Sequence, residues 1–154
     1  MRLRLVRSPY EPDPTADQAS HHVKVFLAPF AYGWRAARLP QLAAACLTPL
    51  LAARGGGGDG VVEGAGWHPE VQVDGGVLVS ALKPGRTVTG HVIRLYESTG
   101  RPGSVRIGSV PRAAKVSRVS IVEDHEADIA VHDGWLTLDL GPFEVVTLRV
   151  EGAG

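Results

Sequence analysis

The second half of this chain is built from short runs in which aliphatic and polar residues alternate. In "WLTLDL", Leu136, Leu138 and Leu140 share one face of an extended chain, while Thr137 and Asp139 share the other. This period of two is typical of an antiparallel strand with one buried face. Turn-forming stretches such as "STGRPG" and "HDG" separate the runs, and the chain holds 19 glycines and 11 prolines. We therefore predict an all-β fold, a sandwich of short antiparallel strands.

The other predicted elements follow from composition and spacing. Strands are predicted at 2–7, 22–27, 76–82, 91–97, 104–110, 115–123, 127–132, 135–140 and 144–150. A short helix is predicted over 40–47, where alanine and leucine follow Pro40 and precede Pro49. The stretch "ARGGGGDG" offers nothing to pack and loses much entropy when ordered. It predicts a flexible linker at 54–60, between a partial β-sandwich segment with the helix at 1–53 and a small β-sandwich at 61–154.

The charge balance argues against two classes of partner. The 16 basic residues equal the 16 acidic ones, so no positive surface is predicted for nucleic acid or an anionic membrane. The single cysteine, Cys46, excludes an internal disulfide and favours a reducing compartment. The N-terminus lacks the apolar block of a signal peptide, and no run suits a bilayer about 30 Å thick. We expect a cytoplasmic protein that binds neither nucleic acid nor membrane.

The stretch "DQASHH" at 17–22 has the residue types of a chemical site. It ends a proline-rich loop longer than about 12 residues, a length that often marks function. Asp17 and His21 have suitable donors for a metal ion, but His21 and His22 would point to opposite faces of a strand, and no further ligand motif is evident. The alternative is a structural loop in which Asp17 accepts backbone N–H groups.

A second polar cluster, "VEDHEAD" at 122–128, contains four carboxylates. Two carboxylates about 5–9 Å apart across a cleft could perform glycosidic acid–base chemistry. Because these residues are nearly consecutive on a turn between strands, we predict a solvated hairpin end instead. Trp34, Trp67 and Trp135 could stack on sugar rings, although packing is the commoner use of dispersed tryptophans.

Five stretches, taken in order and spacing, carry a resemblance to a known family. The first is "LRLVRSPYEPDPTADQASHHVKVFLAPF", and the others are "VLVSALKP", "GHVIRLYESTGR", "VSIVEDHE" and "GWLTLDLGPFEVVTLRV". They resemble the C-terminal part of glycoside hydrolase family 38, the retaining α-mannosidases. Ala19 stands where the family usually has glycine, Phe30 where it tends to have histidine, and "IVE" at 121–123 where it has L-L-E.

The resemblance implies a fold, a reaction and a partner. The chain would be the end of a larger β-sandwich domain followed by a small C-terminal antiparallel sandwich. The family's zinc ion, aspartate nucleophile and acid/base carboxylate belong to an N-terminal domain that nothing in this sequence matches. We therefore expect no catalytic, cofactor-binding or metal residue here, and no activity from the chain alone. Asp17, Gln18 and His21 match the family pattern and are interpreted as a structural or interface motif.

Three functions stay open at this point. The leading one is a C-terminal region that supports α-mannoside hydrolysis, and so mannose and oligosaccharide metabolism, only together with the catalytic portion of an α-mannosidase. The alternative is a stand-alone β-sandwich that binds carbohydrate or protein, and the third is a small metallohydrolase using Asp17 and His21. Surface that a catalytic portion would cover could also lead the isolated chain to self-associate.

Overall fold

The structure, a computed structural model, describes residues 11, 13–15, 18–48, 68–86 and 90–152. Contacts divide the chain into two units, 1–31 and 32–154. In the first unit, the strand predicted at 22–27 is not formed, and Val25 and Leu27 are exposed. Alternation is insufficient there because the N–H and C=O groups of a strand need a paired neighbour. The strand predicted at 2–7 and the linker at 54–60 lie outside the described residues, so the domain boundary stays a prediction.

The second unit contains one helix and eight strands among its described residues. The helix α1 spans Leu39–Leu47, close to its predicted position, and the Thr48 N–H donates to Ala44 O at its end. Among the described residues, no helical segment has the length and hydropathy of a membrane span. The strands are β1 (Glu70–Asp74), β2 (Val77–Pro84), β3 (Gly90–Glu97), β4 (Gly103–Gly108), β5 (Lys115–Val119), β6 (His125–Ile129), β7 (Leu136–Leu140) and β8 (Val145–Glu151).

These strands form two antiparallel sheets. One has the order β1-β4-β7 and the other the order β2-β3-β8-β5-β6. Each of the seven runs predicted from residue 76 onward is a strand, so the predicted all-β sandwich class is confirmed. Strand β1 was not predicted, because "EVQVD" has only two β-branched residues and its partner β4 lies at least 30 positions away along the chain.

The apolar core draws on both sheets. Leu136 and Leu140 are buried while Thr137 and Asp139 are exposed, which confirms the predicted faces of β7. Burying one such aliphatic side chain contributes about 1.5–3 kcal/mol. The buried cluster is formed by Val77, Ile93, Leu95, Val105, Ile107, Val110, Val116, Leu136, Leu140, Val146, Leu148 and Val150. The sandwich therefore has a continuous core that fixes the positions of the loops at its ends.

Candidate functional site

The part of the predicted "DQASHH" motif that the structure describes is solvent-exposed. Gln18 and His21 are exposed, and Asp17 lies outside the described residues. Just before it, Asp13 Oδ1 accepts hydrogen bonds from the N–H and the hydroxyl of Thr15, at 2.9 and 2.7 Å. Within the described parts of the chain, no group of three or more histidine, cysteine or carboxylate side chains could hold a metal ion. A structural or interface role for the motif stays a prediction.

A buried carboxylate at the end of β3 binds two loops of the sandwich. Glu97 is 1% exposed. Its Oε1 accepts hydrogen bonds from the Thr99 hydroxyl and, at 2.7 Å, the Thr99 N–H. Its Oε2 accepts from the N–H groups of Gly100 at 2.7 Å and Phe143 at 3.1 Å. Glu97 therefore joins the β3–β4 loop to the β7–β8 loop.

The environment of Glu97 keeps it ionised. Burial raises the pKa of this carboxyl, but the Thr99 hydroxyl and the N–H groups of Phe143, Thr99 and Gly100 outweigh burial and lower the pKa to about 2. A general acid or base needs a pKa near the pH at which it works. Glu97 lacks that property near neutral pH, and its two oxygens are already occupied as acceptors. We interpret it as a structural anchor.

A second buried carboxylate fixes the loop between β5 and β6. Glu123 has a left-handed backbone, with φ of 74°. Its carboxylate forms a close ion pair with Lys83 Nζ and accepts the Arg86 N–H at 2.8 Å. These two contacts hold the pKa of Glu123 below its usual range despite burial. Arg149 Nη1 donates to the Glu123 carbonyl at 3.1 Å, and Arg94 Nη2 donates to another carbonyl of the loop at 2.9 Å.

A third carboxylate ties the β7–β8 loop to β5. Glu144 Oε2 accepts the Gly141 N–H at 2.7 Å, and Oε1 accepts from Arg118 Nη2 at 2.9 Å. The Gly141 N–H, followed by the Arg118 guanidinium, lowers the pKa of Glu144. Like the other two carboxylates, Glu144 is an ionised acceptor whose partners belong to the protein itself.

The residues that make these contacts belong to the stretches that resemble family 38. "SALK" supplies Lys83, "RLYE" supplies Arg94 and Glu97, "IVE" supplies Glu123, and "PFE" supplies Glu144. These positions match the family pattern, but no role was predicted for them from the sequence. A usable signal was present, since Glu97 ends a strand and precedes a Thr-Gly turn whose N–H groups need acceptors.

The acidic stretch at 122–128 is largely the solvated hairpin end that was predicted. Asp124, His125, Glu126 and Asp128 are exposed, and His125 Nε2 lies 2.9 Å from Asp128 Oδ1. For Glu123 the prediction was wrong, because its carboxylate turns away from solvent toward Lys83 of the five-stranded sheet. Glu123 is thus the buried carboxylate of this stretch, and the other three are exposed.

A groove beside Trp135 combines an aromatic ring with charged side chains of both signs. It has a volume of about 550 Å³. The partly exposed Trp135 ring lies against β4 at Gly108, where an added Cβ would come within 2.7 Å of ring atoms, and the Arg106 guanidinium stacks 4.8 Å from the ring centroid. Of the other two tryptophans, Trp67 lies outside the described residues. The polar groups of the groove come from Arg106, Asp128, His132, Asp133 and Thr137.

A protein-family model matches most of the sandwich. Residues 76–148 match the family model described as the glycosyl hydrolases family 38 C-terminal beta sandwich domain. The matched range includes β2 to β7 and most of β8, and with them Lys83, Glu97, Glu123 and Glu144. A search of curated proteins found no match.

Proposed function

We propose that this chain, whose residues 76–148 form a glycosyl hydrolase family 38 C-terminal β-sandwich domain, is the C-terminal region of an α-mannosidase. It supports hydrolysis of α-mannosides only together with a zinc-dependent catalytic portion, which lies outside these 154 residues. The proposed activity belongs to the complete enzyme, and its proposed location is the cytoplasm.

The family match over residues 76–148 is the observation that carries this proposal. The chemistry of three carboxylates agrees with it, since Glu97, Glu123 and Glu144 are held ionised by protein donors and anchor loops. Such a domain contributes a rigid surface on which a neighbouring domain can pack. In this proposal, Gln18 and His21 contribute to the contact with the catalytic portion.

An activity assay with the pure chain tests the proposal. We expect no hydrolysis of an aryl α-mannoside, with or without added zinc, because the nucleophile and zinc ligands of the family belong to the catalytic portion. The same chain, co-expressed with the coding sequence that precedes it in the genome, should give zinc-dependent hydrolysis. Turnover by the pure chain, or an upstream sequence without a family 38 catalytic domain, would contradict the proposal.

The Trp135 groove favours a second candidate function, the binding of carbohydrate. Sugar rings pack their apolar C–H faces on aromatic side chains while their hydroxyls bind carboxylates and guanidinium groups. The groove offers Trp135 together with Asp133 and Arg106, and its volume of about 550 Å³ suits a mono- or disaccharide.

A titration with α-linked mannobiose, followed by NMR of the backbone amides, tests this second function. We expect shifts around Trp135 that disappear in Trp135→Ala. Tyr32→Ala is the matched control, since Tyr32 is an exposed aromatic residue that does not line the groove, and it should leave the shifts unchanged. Identical shifts in both variants, or no shift in the wild type at about 20 mM sugar, a very weak affinity, would exclude sugar binding here.

A further inference from the structure

A second cavity of the unit formed by residues 32–154 lies between the start of α1 and two turns of the sandwich. Its volume is about 540 Å³, within the range of small-molecule sites. One wall comes from the segment that contains Trp34 and Arg38, and the other from Gly75 and Thr99 in the β1–β2 and β3–β4 turns. Arg35 joins the two walls, because its Nε donates to Thr99 O at 2.6 Å. A direct hydrogen bond therefore connects the two walls of the cavity.

The charge of this cavity is positive. Its charged lining residues are three arginines, Arg35, Arg38 and Arg101, and no carboxylate is among the lining residues. Arg38 and Arg101 have no acidic partner among the described residues, whereas most other arginines of the sandwich bind carboxylates or carbonyls. The Glu97 carboxylate contacts Thr99, but its oxygens are directed at the Thr99, Gly100 and Phe143 donors. The cavity thus brings together three arginine side chains, of which Arg38 and Arg101 form no ion pair with the described residues.

Two further residues, Gln41 and Trp34, line the cavity beside the arginines. Gln41 lines it, and its Oε1 is buried without a hydrogen-bond donor among the described residues. Trp34 supplies an apolar wall, and its ring is held in place by the Arg35 guanidinium at 4.3 Å from the centroid.

We propose that this cavity binds a small hydroxylated anion, a sugar that carries a phosphate or carboxylate group. The anionic group binds Arg38 and Arg101, because guanidinium groups match carboxylate and phosphate oxygens in charge and geometry. The sugar ring packs near Trp34, beside the Gln41 side chain. This inference concerns a different surface from the Trp135 groove and does not depend on the proposed role in α-mannoside hydrolysis.

The test compares glucose 6-phosphate, glucuronate and glucose, which share a ring and differ in the charged group. Each is titrated into the full chain by calorimetry and by NMR of the Gly75, Gly76 and Thr99 amides. We expect the two anions to bind and to shift these amides, with the tighter of the two identifying phosphate or carboxylate as the preferred group. Glucose should leave them unmoved, and binding of the anions should weaken as sodium chloride is raised.

The variants Arg38→Gly and Arg101→Ala should each weaken anion binding by about tenfold, the usual effect of losing one charge-assisted hydrogen bond. Glycine is chosen at position 38 because Arg38 has a φ of 50°, which glycine adopts freely. Arg112→Ala, another exposed arginine, is the control and should leave binding unchanged. The proposal is overturned if neither anion binds, if glucose shifts the same amides, or if Arg112→Ala weakens binding as much as the other two variants.

Discussion

Glu97 illustrates how one side chain can hold separate turns of a sandwich together. Its two oxygens accept hydrogen bonds from groups that lie up to 46 positions away in the chain. The nearby β1–β2 turn requires glycine at Gly76, because an added Cβ would come within 2.5 Å of Glu97 Oε1. A carboxylate that is buried and fully paired stabilises the folded chain only while it is ionised.

The pKa of Glu97 gives a prediction for the stability of the chain as a function of pH. Its folded value, about 2, lies below the ordinary value for glutamate. The stabilisation is therefore present above the unfolded pKa and is lost as the pH falls through the folded one. We expect this residue to account for about 3 kcal/mol of unfolding free energy lost between about pH 5 and pH 2.

Urea denaturation of the wild type and of Glu97→Gln, measured across that pH range, checks the prediction. The variant should be less stable by about 3 kcal/mol near neutral pH, and the difference should shrink toward pH 2. Asp139→Asn, which replaces an exposed carboxylate of β7, is the control and should change stability by less than about 0.5 kcal/mol. A difference between Glu97→Gln and the wild type that does not depend on pH would contradict the role assigned to the carboxylate.

At the scale of elements, the loop at 120–124 is attached to the five-stranded sheet by basic side chains. Lys83 of β2, Arg94 of β3 and Arg149 of β8 all contact its carboxylate or its carbonyl groups. The aliphatic side chains of this loop, Ile121 and Val122, remain exposed. The loop is therefore held by polar contacts of its backbone and of Glu123 rather than by burial of its apolar residues.

Removing the charge of Glu123 should loosen this loop. We expect Glu123→Gln to lower the unfolding free energy by about 1–3 kcal/mol, since the Arg86 N–H loses a charged acceptor. The Lys83 ammonium is 44% exposed and can be solvated, so the ion pair itself adds little. Hydrogen exchange at the Ser120 amide, which donates to Asp124 O in this loop, should become faster in Glu123→Gln and stay unchanged in the exposed-site control Asp124→Asn. Equal exchange in the two variants would show that Glu123 does not anchor the loop.

At the scale of the whole molecule, contacts separate residues 1–31 from 32–154, while the family match begins at residue 76. The region from β2 to β8 has a continuous core and three anchored loops, so it should resist proteases. The sequence between helix and sandwich contains the run of four glycines at 55–58, which has no side chains to bury.

Limited trypsin digestion tests the linker predicted at 54–60. We expect the first cut at Arg54, because exposed glycine-rich segments are preferred sites of cleavage. Mass spectrometry should then show a stable fragment that begins at residue 55. The variant Arg54→Gln should lengthen the lifetime of the intact chain, whereas early cleavage inside 76–150 would place the boundary elsewhere.

The sequence by itself determined the class of fold and the position of most elements. Period-two alternation and turn residues located seven strands, and Pro40 with the alanines after it located α1, because these signals act over a few residues. The local signal failed at 22–27, where an alternating run has no paired strand, and at β1, whose partner is distant in the chain. A strand is completed by its neighbour, so its own residues do not suffice.

Only the tertiary structure decided which polar residues matter. In the sequence, Glu123 looks like its neighbours Asp124 and Glu126, yet Glu123 is buried and they are exposed. Its burial depends on Lys83 and Arg86, about 40 positions earlier, which folding brings within hydrogen-bond distance. The arginine-lined cavity likewise needs α1 to lie beside turns that are far from it in the chain. The free energy of a buried charge is set by the partners that surround it in space, and a local sequence pattern does not contain them.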